Sequence, residues 1–347
     1  MSLVMTRRIV PCLALLALLA PARAQQIEIK MATLAPESSP WYDVLARMGE
    51  RWKTISGGKV KLTIFAGGVL GDEPDMVNKL RIRQVQAVAL SGAGMSTIEP
   101  GVGSLQIPMM FESYDELDYV RDRMAPTLEK MIEARGYLVL NWGDAGWVHF
   151  FTKTPVNRLD DLRKLKLFTW AGNNDELELW KTNRFKPVPL AATDILMGLK
   201  TGLIDAVPTT PLYALWNQIF GLAGYMSDVK WAPLVGATVV SKAAWEKIPA
   251  DQREPMMREA RARGLEMRSS IRGMGDSAIK TMTQGQAGKR SAKLVVVHAD
   301  DASLAGWRKE TEAAYPNIRG SIVPANLFDQ ARQFRDEYRA KSSGGRK

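Results

Sequence analysis

Apolar and polar residues alternate from Ile27 to Thr33, the signature of a strand with one buried face, and the period then changes. Trp41, Val44, Leu45, Met48 and Trp52 recur at helical spacing; Ser38 or Ser39 stands where a cap is needed, Pro40 suits the first turn and Gly57-Gly58 ends the run. Residues 59–65 predict a second strand, residues 67–71 a turn, and Asp72, Glu73 and Pro74 the start of another helix. Residues 86–90 predict a short buried strand that runs into a turn of small residues, Ser91-Gly92-Ala93-Gly94. Strands alternating with helices in this way build an α/β lobe.

The pattern continues with a helix over 114–135, a strand over 136–142, and an apolar, aromatic stretch over 147–152 that reads as a crossing into a second lobe. Residues 165–170 and 202–207 supply strands there, and 235–241 returns the chain to the first lobe. Residues 251–284 read as one helix of unusual length, with glycines at 264, 273 and 275. A strand over 294–298 and helices near 304–315 and 326–341 complete the chain, and the closing Ser342-Ser343-Gly344-Gly345-Arg346-Lys347 has the composition of a disordered end. A length of 347 residues is more than one core usually serves, which agrees with two lobes.

The ends and the composition narrow the setting. Arg7 and Arg8, an apolar run over 13–20 and Pro21-Ala22-Arg23-Ala24 have the layout of a secretory signal peptide over residues 1–24, with a mature start near Gln25. The run is too short to span a hydrocarbon core of roughly 30 Å. The general secretory route is favoured over twin-arginine export, because Ile9, Val10 and Pro11 fit the longer signal poorly. Cys12 precedes the apolar run, so the mature chain has no thiol, which excludes disulfides, cysteine nucleophiles and thiolate metal sites. Setting aside Arg7, Arg8 and Arg23 leaves 44 of the 47 lysines and arginines against 37 acidic residues, about +7. These charges are scattered and no groove-reading motif accompanies them, so they read as a solvated surface and not a nucleic-acid site.

Enzyme chemistry finds little support. His149 and His298 are the only histidines, and no G-x-S-x-G elbow is present for either to serve. Gly92-x-Gly94-x-x-Thr97 lacks the third glycine of a dinucleotide loop, and two distant histidines cannot make a zinc site. No catalytic residue, metal or cofactor is expected.

The segment KTPVNRLDDLRKLKLFTW (residues 153–170), followed by PVPLAATDILMGLKTGLIDAVPTTP (187–211), closely resembles the binding core of solute-binding proteins of tripartite ATP-independent periplasmic (TRAP) transporters. SGGKVKLTIFAGGVLGDEPDMVNKLRIRQ (56–84), GSLQIPMMFESYDEL (103–117) and WAPLVGATVVSKAAWEKIP (231–249) extend the resemblance in the same order. It implies two α/β lobes of the periplasmic-binding-protein fold, joined by hinge strands and a long lobe-spanning helix. Lobe I is expected over 25–143 and 233–272, lobe II over 144–232 and 273–340, and a disordered tail over 341–347. It also implies a periplasmic receptor, monomeric, that binds a small molecule in the interlobe cleft and delivers it to membrane permease subunits driven by an ion gradient. Some relatives with apolar pockets associate with a helical-repeat periplasmic protein.

The resemblance also places the site. The family's carboxylate-gripping arginine falls at Phe168, a second pocket arginine at Val148, and an asparagine at Thr209. Phe168 and Trp170, two apart on a strand, share a face. Tyr213 and Trp216 are placed to roof the cleft, and Glu37, Trp41, Glu73, Gly92, Ala93 and Gly94 occupy first-lobe contact positions, with small residues at 92–94 letting backbone amides approach a ligand. Helix-start charge is the alternative role for Glu37 and Glu73, and core packing the alternative for each aromatic ring. Lys181 and Arg184 could restore an anion anchor, although both sit on a solvated helix face. The expected ligand is neutral or largely apolar; an aromatic acid held through its ring is the second choice.

Overall fold

The computed structural model describes residues 26–284 and 293–344. The signal-peptide segment and the last three residues of the expected tail lie outside them. The elements run β1 (Ile27–Thr33), α1 (Pro40–Ile55), β2 (Val60–Phe65), α2 (Glu73–Arg81), β3 (Ala87–Ser91), α3 (Gly92–Ile98), α4 (Tyr114–Ala134) and β4 (Tyr137–Thr152). They continue with α5 (Leu159–Arg163), β5 (Lys166–Trp170), α6 (Asn174–Thr182), β6 (Lys186–Leu190), α7 (Ile195–Thr201), β7 (Ala206–Thr209), α8 (Pro211–Trp216) and β8 (Tyr225–Ser227). The last are β9 (Ala232–Ser241), α9 (Lys242–Trp245), α10 (Ala250–Gln284), β10 (Val295–Val297), α11 (Asp301–Ala313), α12 (Tyr315–Ile318) and α13 (Ala325–Gly344).

The strands run in the order β2-β1-β3-β9-β4-β7-β5-β6, with β8 and β10 off this path. One strand joins the two halves. From Tyr137 to Val148, β4 pairs antiparallel with β9, and from His149 to Thr152 it pairs with β7 instead. The stretches read separately as 136–142 and 147–152 are thus a single 16-residue strand, with register irregularities between Val139 and Asn141 and between Asp144 and Trp147. Its 143–146 segment (Gly-Asp-Ala-Gly) breaks the alternation that sequence patterning depends on; Gly146 has φ 100°, a bulge-forming conformation. The strand expected over 202–207 begins at Ala206, because Gly202, at φ 74°, instead caps α7.

The first half buries one sheet face against α1 and α10, through Ile29, Met31, Trp41, Met48, Trp52 and Met256. Its other face packs Val88 and Val139 against Met76, Leu80 and Ile132. The second half has its own core, with Phe151, Phe168, Ile195, Leu199 and Val207. At 35 residues α10 is about 52 Å long, and it reaches both: Met256 and Ala260 belong to the first core, Met282 to the second. Gly264 is what lets it lie close to β4, since a Cβ there would stand 2.5 Å from the Cβ of Asn141. Leu327, Phe328 and Ala331 of α13 pack on Leu117, Val120 and Leu128 of α4, which ties the C-terminal segment to the outer side of a first-lobe helix. That helix runs to Gly344, beyond the expected start of the tail at 341. Among the described residues no helix is long and apolar enough to cross a membrane.

Candidate ligand cavities

Two adjoining cavities lie between the halves. The first, about 140 Å³, draws Trp41 from α1, Glu73 from α2, Asn141 and Asp144 from β4, Phe168 and Trp170 from β5, Thr209 from β7, Tyr213 from α8 and Met267 from α10. The second, about 210 Å³, is lined by Gly92, Ala93, Val148, Trp180 and Trp231 among others. Trp170, Pro208 and Leu234 belong to both walls. The positions matched to the two family arginines, Phe168 and Val148, therefore fall in different cavities.

Phe168 is fully buried, with its ring edge-on to Trp170 at a centroid distance of 5.1 Å. It is wall and core at once, since it also packs with Phe151, Ile195 and Leu199. Trp41 and Trp170 line the first cavity, and their indole N–H groups are buried without a partner.

Glu73 opens α2, yet its carboxylate serves the neighbouring helix. It accepts from the Ser91 amide at 2.6 Å, the Ser91 hydroxyl at 2.6 Å and the Gly94 amide at 2.8 Å. Burial pushes its pKa up to about 6, against the pull of those donors. The turn expected at 91–94 is the beginning of α3, and the Gly94 amide is already taken, so Gly94 lines neither cavity. Glu37 is exposed and outside both, as its place ahead of α1 leaves it in solvent. Trp216, the last residue of α8, is 41% exposed and also outside, while Tyr213 three residues earlier lines the first cavity.

One strong cation lies behind the first cavity. Arg272 of α10 grips Asp144 through Nε and Nη2 at 2.6 to 3.3 Å, and Asp118 of α4 through both Nη atoms at 2.8 Å. Both edges of the guanidinium are occupied, leaving no fork for a ligand carboxylate. No sequence signal linked Arg272 to Asp144, 128 positions apart, or brought in Asn141 and Met267. Lys181 and Arg184 are exposed and line neither cavity. His149 is buried with Nδ1 3.0 Å from the Ser227 carbonyl, so that nitrogen donates; desolvation lowers its pKa to about 4, a neutral structural histidine.

A family model, the bacterial extracellular solute-binding protein family 7 (DctP), matches residues 31–320. The chain belongs to this family. It is similar to the C4-dicarboxylate-binding periplasmic protein DctP of Rhodobacter capsulatus, at 26% identity over 332 residues, covering 89% of this chain and 98% of that one. A solute-binding protein of Roseobacter denitrificans is 24% identical over 302 residues, 83% of this chain and 91% of the relative. Among solved structures, the fold matches the sugar acid binding protein of Advenella mimigardefordensis in complex with galactonate (TM-score 0.82, 17% identity, 90% and 99% covered). It also matches a TRAP periplasmic solute binding protein of Xanthobacter autotrophicus with bound β-D-galacturonate (TM-score 0.79, 18% identity, 89% and 99% covered). The protein is accordingly a periplasmic solute-binding receptor of a TRAP transporter, which hands a small molecule to a membrane permease and is not an enzyme.

Proposed function

We propose that this receptor captures a neutral, ring-bearing, largely apolar molecule in the first cavity, in place of the sugar acids bound by the solved neighbours. One observation carries the reading: among the described residues lining that cavity there is no lysine, arginine or histidine, while Glu73 and Asp144 are both present. A ligand carboxylate buried there would meet Glu73, an Asp144 already paired with Arg272, and no free cation, at a cost of several kcal/mol. Against that, a ring that buries ~150 to 250 Å² gains a few kcal/mol at ~25 cal/mol/Å². The volume agrees, since an apolar cavity of about 150 Å³ accommodates benzene. An aromatic acid would fit only with its acid group directed away from this cavity.

Native mass spectrometry of protein purified from its periplasm, followed by denaturing extraction, tests the reading. A retained neutral or aromatic compound supports it; a retained dicarboxylate or sugar acid overturns it. The same reading carries the expectation of a monomeric receptor and, for apolar cargo, of an additional helical-repeat partner. Light scattering and affinity capture with a candidate repeat protein check these two.

A further inference from the structure

The larger cavity lies on the far side of Trp170 from the first, and its walls differ in chemistry. One is aromatic: Trp180 stacks on Trp231 with ring centroids 5.7 Å apart and planes 26° apart, and meets Phe185 edge-on at 4.8 Å. Another carries polar groups that the fold leaves unused. The side chains of Gln106 and Ser96 line the cavity and make no hydrogen bond to any described residue. The Gln106 amide lies directly on Gly92, where any Cβ would collide with it, so the glycine is what gives the amide its place in the wall.

The charged groups of this cavity, Arg163, Glu176 and Glu310, are already paired with one another or with neighbouring residues. Arg163 donates to the Asn183 carbonyl at 3.1 Å, to Asp160 at 2.7 Å and to Glu310 at 2.6 Å. Glu176 accepts from Asn173 Nδ2 at 3.0 Å and from Trp180 Nε1 at 3.2 Å. An anion entering would find Glu176 and Glu310, with the one cation, Arg163, already paired to two carboxylates. A hydroxyl or amide would find donors and acceptors on Gln106 and Ser96, with a flat aromatic face to lie against.

We infer that the larger cavity is a second ligand subsite for an uncharged hydroxyl- or amide-rich group, so that the solute has two parts: a ring in the first cavity and a neutral polar head in the second. Trp170 stands at the junction, lining both cavities, where the atoms joining the two parts would pass. This inference rests on the neutral-ligand reading above and names the rest of the molecule.

The test compares benzyl alcohol with benzyl β-D-glucoside by titration calorimetry on the mature protein. The second probe adds a neutral, hydroxyl-rich head to the same ring. The glucoside is expected to bind at least tenfold more tightly, and Gln106→Leu and Ala93→Leu, which remove the amide and crowd the cavity, are each expected to bring that ratio down severalfold. Thermal melts of both variants confirm folding. A native ratio below tenfold, or a ratio unmoved by both variants, overturns the second subsite. Tight binding of galacturonate together with no binding of benzyl alcohol overturns instead the reading beneath it, so the two failures are distinguishable.

Discussion

Phe168 illustrates why a ring in place of an arginine changes more than charge. Its side chain closes the cavity and fills the second core together, so Phe168→Ala would cost about 3 to 5 kcal/mol of stability on top of any binding effect. Phe168→Leu goes further toward separating the two: melting should fall by much less than in the alanine variant, while affinity for the retained ligand falls by about 1 kcal/mol, or roughly fivefold, by calorimetry. Unchanged affinity would assign the ring to the core alone. Phe168→Arg should admit galacturonate, a gain that the same calorimetry reads directly. Glu73 gives a different residue-scale expectation. Its folded pKa, about 6, lies above the ordinary glutamate value of 4.5, so between these values the folded state holds the proton more firmly than the unfolded chain does. The sign follows: this group's contribution to stability is present below about pH 4.5, falls as pH rises toward 6, and is lost above that, a difference of about 2 kcal/mol. Urea unfolding of the ligand-free protein should show the gap between native and Glu73→Gln shrinking by about this amount from pH 4 to pH 7. A constant gap would mean that burial does not perturb Glu73.

At the scale of elements, Arg272 is the joint on which three of them depend, because it fastens α10 to α4 and to the irregular centre of β4. Asp144 is almost wholly buried, so Arg272→Met strands a carboxylate and is expected to cost about 3 to 5 kcal/mol in urea unfolding. Restoring half of that loss by adding Asp144→Asn would show that the stranded charge, and not the lost methylenes, is responsible. Sequence legibility divides along the same lines. Local signals sufficed where a single face is buried: β1, α1, α2 and the long α10 were all readable from period, caps and proline placement. They failed where a distant side chain completes the element. Gly92 and Gly94 argue against a helix on propensity, yet α3 forms with the Glu73 carboxylate, from a separate helix, satisfying its first amides. The candidate cavities divide in the same way. Motif alignment pointed to Phe168 and Thr209, strand parity to Trp170 and the turn before α8 to Tyr213, and all four line one cavity, but the division of the cleft by Trp170 depends on where α6 and the approach to β9 deliver Trp180 and Trp231, which no spacing encodes.

For the whole molecule, capture of a solute requires the halves to hold together for the lifetime of the complex, and one contact is suited to set that lifetime. Asp72 caps α2 with one oxygen, accepting from the Glu73 amide at 2.8 Å, and with the other accepts from the Ala192 amide at 2.9 Å, in the turn after β6 of the second half. The bond is buried and charge-assisted, a class worth roughly 1.5 to 3 kcal/mol. Because it bridges the two halves, its loss is expected to appear as faster ligand release and not as slower capture. Asp72→Ala should therefore speed release of the retained ligand about tenfold or more in stopped-flow tryptophan fluorescence. The cap must be separated from the latch, because losing an N-cap alone costs about 1 kcal/mol. Asp75 provides the control: its Oδ2 accepts from the Asp72 amide at 3.1 Å, completing the capping box without touching Ala192. Asp75→Ala should lower the melting temperature while leaving release within twofold of native. Equal acceleration in both variants would trace the effect to α2 itself, whereas acceleration confined to Asp72→Ala would identify the carboxylate that fixes how long the receptor stays shut on its solute.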